Sequence, residues 1–451
     1  MRLAKKASLV CLLCAAAAIV LPAQTFTLLH NFDGTDGDGE GNNLTQGRDG
    51  NLYATAVFGG PDGCGTAFRL TPSGAFRILY DFTSTNCTPV SDLALGPNGL
   101  FYANIQNGGT SGNGGVFNLS AAGAFTLVAS LDGSNGSYPG DLILGTDGNY
   151  YGAARQGGTR SEGTLFKVTP RGTITDLHNF GSLPDDGSYP VAIVEGPEGA
   201  LYGATYYGGT AGDGVVFQIT HSGGYKILVN FDSTDGANPT NLLLGSDGNL
   251  YGYTTYGGAN GYGTIFKMTP AGVLTVLHSF TGTDGQIPSA NPIEGTDGKL
   301  YGTAILGGTY GDGTIFSITT SGTFEVLFNF NGTDGTNPYG GLTQHTNGVL
   351  YGSAAFGGAY GDGTLFSLDV GLGPFVRFLL SSGKVGTKVQ ILGQNLTGTT
   401  AVTFNGTSAS FKVVSDTFLI ATVPAGATSG TVEVTKPHAT VSSNVPFTVI
   451  P

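Results

Sequence analysis

The sequence predicts an all-β protein: a seven-bladed β-propeller over residues 24–373, followed by a smaller β-sandwich over residues 374–451. Three observations predict it. A Tyr preceded by an apolar or aromatic residue recurs at Tyr53, Tyr102, Tyr151, Tyr202, Tyr251, Tyr301 and Tyr351, with spacings of 49, 49, 51, 49, 50 and 50 residues. A period near 50 marks an array of like supersecondary units. Within each period four short β-type runs alternate with Gly, Pro, Asp and Asn, the composition of a four-stranded blade. After Gly373 the period stops, and shorter runs recur about every ten residues, as in a sandwich.

The elements follow in chain order. Arg2, Lys5 and Lys6 precede an apolar stretch from Ala7 to Leu21, and Pro22-Ala23 stands before Gln24. This reads as a cleaved signal peptide of residues 1–23. The next run, Phe26-Thr27-Leu28-Leu29-His30-Asn31-Phe32, has the pattern of the fourth strand of a repeat. The fifth repeat shows the whole unit: Asn238–Gly245, a turn at Ser246-Asp247-Gly248-Asn249, then Leu250–Gly258, Gly263–Met268, a turn at Thr269–Gly272, and Leu274–Phe280. Asp-Gly-Asn and Pro-x-Gly suit tight turns, because Gly reaches positive φ and Pro presets its own. The fourth-strand pattern recurs up to Phe324–Phe330, but the seventh copy ends at Phe366-Ser367-Leu368 without one. The run at the mature N-terminus supplies it and ties the ring shut, leaving no open edge between the chain ends.

The elements Asp-Gly-x-Leu-Tyr-Gly, Gly-Gly-x-x-Gly-x-Gly-Thr-x-Phe and Asp-Gly-x-x-Pro resemble the GloVer tandem repeat of exported bacterial proteins over roughly residues 24–370. The resemblance implies export; it brings no established activity and no catalytic residues. Residues 374–451 resemble an IPT/TIG domain, an immunoglobulin-like sandwich. The residues that carry this are Ser381–Thr387, Ile391–Leu396, Val402–Gly406, Val423–Ala427 and Val432–Val434. It implies a spacer or adhesion module, since the basic DNA-reading loops of some relatives have no counterpart.

Composition narrows the function. Cleavage leaves 15 basic residues against 31 acidic, a net charge near −16, which argues against nucleic acid and anionic membrane surfaces. No later segment is long and apolar enough to span a membrane. The expected location is extracellular, periplasmic or at the cell surface. The mature chain keeps two cysteines, Cys64 and Cys87, which an exported protein is expected to join as a disulfide. No His pair has metal-ligand spacing and no nucleophilic serine motif occurs, so no catalytic residue is assigned.

Two groups of residues stand out on the face that carries the Gly-Gly turns. The position before each Gly-Gly varies inside a fixed frame: Phe58, Asn107, Gln156, Tyr207, Tyr256, Leu306 and Phe356. Six of these, Leu306 apart, are the expected ligand-binding ring, with interblade packing as the competing reading. Asp33, Asp36, Asp38 and Glu40 place four acids within eight residues. They could hold Ca²⁺, against the reading that each Asp caps its own turn. The leading expectation is a non-catalytic exported binding or adhesion protein whose partner is extracellular polysaccharide or a surface protein. The alternative is a polysaccharide lyase or hydrolase using carboxylates on the turn-bearing face, for which Glu162 and Glu294 read as acids that break the repeat.

Overall fold

The computed structural model describes residues 24–196, 199–288 and 290–450; the expected signal peptide lies outside them. These residues form strands, turns and loops, with seven antiparallel sheets of four or five strands over residues 25–369. In the fifth repeat the strands Ala237–Leu244, Leu250–Tyr256, Thr264–Met268 and Leu274–Ser279 pair in that order. Leu250–Tyr256 is buried on both faces up to its last residue, because neighbouring sheets cover it on either side. The outermost strand is half-buried along its length apart from the exposed Thr275.

The repeated Tyr is a turn lock. Tyr251 donates its hydroxyl to Asp247 Oδ2 at 2.8 Å, and Asn249 donates backbone and side-chain N–H groups to the same carboxylate. The ring stands against Gly245, where a Cβ would meet Tyr251 Cε2 at 2.7 Å. Glycine, aspartate and tyrosine therefore recur together for one packing reason.

The first strand belongs to the last sheet. Thr25–Asn31 pairs antiparallel with Thr364–Asp369, beside Leu350–Ala354 and Thr343–Gln344. That sheet in turn meets the first repeat: Gln46 Nε2 donates to Thr346 Oγ1 at 2.8 Å, and Thr346 N donates to Gln46 Oε1 at 3.0 Å. Phe32 sits in this joint, 1% exposed. It shares a cluster with Leu44, Leu52 and Phe68 of the first repeat and Tyr351 and Leu365 of the last.

Two families of loops share one face. The second Gly of each Gly-Gly donates its N–H to the loop that enters the inner strand, in all seven repeats from Gly60 to Gly34 through Gly358 to Gly332. Six entry residues have φ between 52° and 62°: Thr88, Tyr138, Tyr189, Asn238, Ile287 and Asn337. Positive φ strains such side chains. Neighbouring sheets hold the strain, as when Tyr189 N donates to Glu162 O at 2.9 Å and Ile287 N to Tyr262 O at 3.1 Å. Cys64 and Cys87 are bonded to each other, with Cα atoms 4.7 Å apart, across the first two repeats on this same face.

The C-terminal strands form three further sheets around their own core of Ile391, Val402, Phe404, Leu419 and Val434. They dock on the opposite face, against the turns that follow the inner strands. Arg48 Nη2 donates to Gln390 Oε1 at 2.6 Å, Thr417 Oγ1 to Arg48 O at 2.7 Å, and Gln394 Nε2 to Thr346 Oγ1 at 2.9 Å. Leu392 and Phe418 join the same apolar cluster as Tyr53, Leu93 and Phe101, so the C-terminal strands are packed onto the repeats rather than tethered to them.

Candidate binding cavity

The inner strands bring one register position to the axis. Ten residues before each repeated Tyr stand Asn43, Asp92, Asp141, Ala192, Asn241, Asn291 and Gly341. The frame around this position is nearly constant, while the position itself is mostly polar and varies. Asn43, Asp92, Asp141, Asn241 and Asn291 line a cavity of about 510 Å³ at the turn-bearing end, to which every repeat contributes. Tyr189, Tyr206, Tyr207 and Tyr339 wall its mouth.

The two carboxylates differ in their surroundings. Asp92 accepts Asn43 N at 2.7 Å, Asn43 Nδ2 at 2.8 Å and Asn291 Nδ2 at 3.5 Å. Burial raises its pKa, and these hydrogen bonds oppose the rise. Asp141 has no such donors among the described residues. Burial, and then the charge of Asp92, push its pKa up to about 7, with Arg155 pulling the other way. The Arg155 guanidinium lies 5.7 Å from the centre of the Tyr189 ring. Arg155 Nε and Thr240 Oγ1 are buried beside this cavity without a hydrogen-bond partner. Near neutral pH Asp141 can therefore donate or accept, beside an acceptor held by amides. Hydroxyl groups against aromatic walls suit such a lining.

The ring expected from sequence stands outside this cavity except at one point. Phe58, Tyr207, Tyr256 and Phe356 are 45–50% exposed on the turn-bearing face, so they are not interblade core. Gln156 is exposed, and Asn107 is half-buried with its Nδ2 donating to Thr88 Oγ1 at 3.3 Å. Only Tyr207 also lines the cavity. Tyr310 and Tyr360, in the neighbouring turns, are still more exposed.

Of the acids expected to hold a cation, Asp33, Asp36, Asp38 and Glu40, the first two are engaged by neighbouring groups of the chain. Asp33 accepts Thr35 N at 2.9 Å, Thr35 Oγ1 at 2.6 Å and Asp36 N at 3.2 Å. Asp36 pairs with His30 Nε2 at 2.8 Å. Burial, then the nearby charge of Asp362, raises the pKa of Asp38. The side chain of Glu40 lies outside the described residues, and among those residues no three His, Cys, Asp or Glu side chains could hold a metal. Asp33 and Asp36 thus serve their own turn. Equivalent pairs recur at His178 with Asp186 and His278 with Asp284, each His stacked on an aromatic ring of the next repeat.

Glu294 also requires correction: it does not break the repeat. It accepts Ser246 N at 2.7 Å and Ser246 Oγ at 2.6 Å, as Glu195 accepts Thr146 N at 2.7 Å and Thr146 Oγ1 at 2.8 Å. Both clasp one repeat to the turn of the preceding one. The acids that do interrupt a row of amides and small residues are Asp92 and Asp141.

The model of the Gloeobacter/Verrucomicrobia repeat matches residues 41–248 and 193–416. Comparison with curated proteins finds no match. Among solved structures, a streptogramin B lyase is similar at 18% identity and a TM-score of 0.55, over 76% of this chain and 97% of that one. A catalytically inactive virginiamycin B lyase from Staphylococcus aureus with quinupristin is similar at 15% identity and a TM-score of 0.54, over 77% and 99%. The extracellular domain assigned to a hybrid two component system of B. thetaiotaomicron is similar at 10% identity and a TM-score of 0.52, over 95% of this chain and 59% of that one. At such identities the likeness concerns fold alone, which is all-β and propeller-like. No helix among the described residues is long and apolar enough to cross a membrane.

Proposed function

The chain belongs to the Gloeobacter/Verrucomicrobia repeat family, and from that premise we propose that it is an exported, non-catalytic binding protein for extracellular polysaccharide. In this reading the seven sheets are the blades of a propeller closed by the N-terminal strand, and residues 374–451 are an IPT/TIG immunoglobulin-like module. The observation that carries the binding role is the axial cavity of about 510 Å³, in which variable polar residues of the inner strands meet a tyrosine-walled mouth. A pyranose offers hydroxyls to the amides of Asn241 and Asn291 and a C–H face to Tyr207. The exposed rings of Tyr256, Phe356 and Phe58 extend the same surface for a longer chain. Retention of glycans on an array by the mature protein, lost on Tyr207→Ala with Tyr256→Ala, is the test. An array with no retained glycan contradicts the reading.

One observation favours the second reading, a polysaccharide lyase or hydrolase. Asp92 and Asp141 come from adjacent repeats, line one cavity and have unequal surroundings, which is the pattern of a general base beside a general acid. Release of shortened or unsaturated products by the wild-type protein, abolished by Asp92→Asn, decides for that reading and against simple binding.

A further inference from the structure

Asn43, Asp92 and Asn291 form a waist that lines two cavities. Below it lies a second chamber of about 520 Å³, enclosed between the inner strands of the repeats and the C-terminal strands. Its upper wall is apolar, with Leu93, Leu142 and Leu342 facing in. The C-terminal strands contribute Phe375, Arg377 and Phe378.

Arg377 is the unusual member. It lies on the short strand Arg377–Phe378, which pairs with Ile391 and Leu392. Phe378 is buried in the C-terminal core, and successive residues of a strand point to opposite faces. The Arg377 side chain leaves that core and lines the chamber, where it is exposed. Among the described residues it makes no ion pair or side-chain hydrogen bond. The two carboxylates of the same chamber are taken elsewhere: Glu294 by Ser246 N and Oγ, and Asp92 by Asn43. The guanidinium is thus open to whatever enters the chamber, and its donors are free to meet it. Nothing in the packing uses its five donors.

We propose that the lower chamber binds a small carboxylate, with Arg377 gripping the anion. The planar fork of a guanidinium matches a carboxylate through two parallel hydrogen bonds. A single negative charge is favoured over a dianion, because Asp92 and Glu294 already place two acids in the same walls. The volume accommodates one hydroxylated ring acid of the uronic-acid class, whose hydroxyls face the amides of Asn43 and Asn291. This site meets the upper cavity at that waist, and the docked C-terminal strands complete it.

Calorimetric titration of the full mature chain with D-glucuronate tests it, with D-glucose as the neutral probe and sulfate as the dianion. The wild type should bind glucuronate and neither comparator at the same concentration. Arg377→Gln should weaken glucuronate binding at least tenfold, and Arg377→Lys should weaken it less. Without ligand, Arg377→Gln should melt at or above the wild-type temperature, since it removes no contact. Tyr207→Ala with Tyr256→Ala should leave glucuronate binding unchanged while abolishing glycan retention. The proposal is overturned by an absence of glucuronate binding in the wild type, or by equal binding in Arg377→Gln. Sulfate binding as tight as glucuronate, a marked loss of melting temperature in Arg377→Gln, or loss of glucuronate binding in the tyrosine variant overturns it as well.

Discussion

Phe32→Ala should lower stability by about 3–5 kcal/mol, the range for truncating a buried Phe to Ala. The residue is 1% exposed. Its ring centre lies 5.6 Å from Phe68 and 5.8 Å from Phe76, both edge-on. Its backbone N–H donates to Gly363 O at 3.0 Å, and its cluster reaches Tyr351 and Leu365 of the last sheet. The ring is thus wedged where the last sheet hands the chain to the first. Gly37 packs directly on the ring: its φ is 150°, and a Cβ there would meet Phe32 Cδ1 at 2.9 Å. A long repeat chain loses about 2 °C of melting temperature per kcal/mol, so the midpoint should fall by about 6–10 °C. Differential scanning calorimetry measures it, with Phe58→Ala as the control. Phe58 is 45% exposed, and its truncation should cost under about 0.5 kcal/mol. If Phe32→Ala melts within 2 °C of the wild type, the N-terminal strand is not the joint described.

Three more outcomes follow from the same contacts. Tyr207→Ala with Tyr256→Ala should change stability by less than about 1 kcal/mol in total, as both rings are about half exposed; a larger loss by urea titration would mean they are core. The Asp141 carboxyl is raised from its ordinary 3.8 to about 7, so between those pH values the folded chain keeps a proton that the unfolded chain has lost. The contribution of this group is therefore complete below about pH 4 and is lost as pH rises through 7. Asp141→Asn should accordingly melt higher than wild type at pH 8 and close to it at pH 4, and an equal gap at both values would refute the assignment. Opening the Cys64–Cys87 bond, whose partners are 23 residues apart, should cost about 3 kcal/mol; thiol labelling of a denatured, unreduced chain of residues 24–451 should find no free cysteine.

The repeat frame is legible because its residues recur for one physical reason each. Asp247 and Tyr251 lock a turn, Gly245 admits the ring, and Phe26 to Phe32 carries the same pattern as the strands that end at Phe280 and Phe330. The binding position is harder to read. Both the rim, at Tyr207 and Phe356, and the axis, at Asp92 and Asn241, vary within the frame. Which of them faces a cavity depends on how deep each inner strand lies in the ring, and period alone does not encode depth. The signal was present nonetheless, in two acids standing where other repeats carry Asn, Ala or Gly ten residues before the Tyr. At Asp33 and Asp36 turn capping and cation binding call on the same side chain, and the donors at Thr35 and His30 that engage them are not visible in the sequence. Docking of the C-terminal strands was not legible, since Leu392 and Phe418 read as ordinary sandwich residues until Leu93 and Phe101 are seen beneath them.

The central claim is recognition without chemistry at the turn-bearing face. Its most direct measurement is mass spectrometry of a glycan recovered after capture and prolonged incubation with the mature wild-type protein, alongside the Tyr207→Ala, Tyr256→Ala variant. The account predicts that the wild type retains a glycan, that its mass is unchanged, and that the variant retains none. Recovery of shorter or unsaturated fragments from the wild type, or equal retention by the variant, would contradict it.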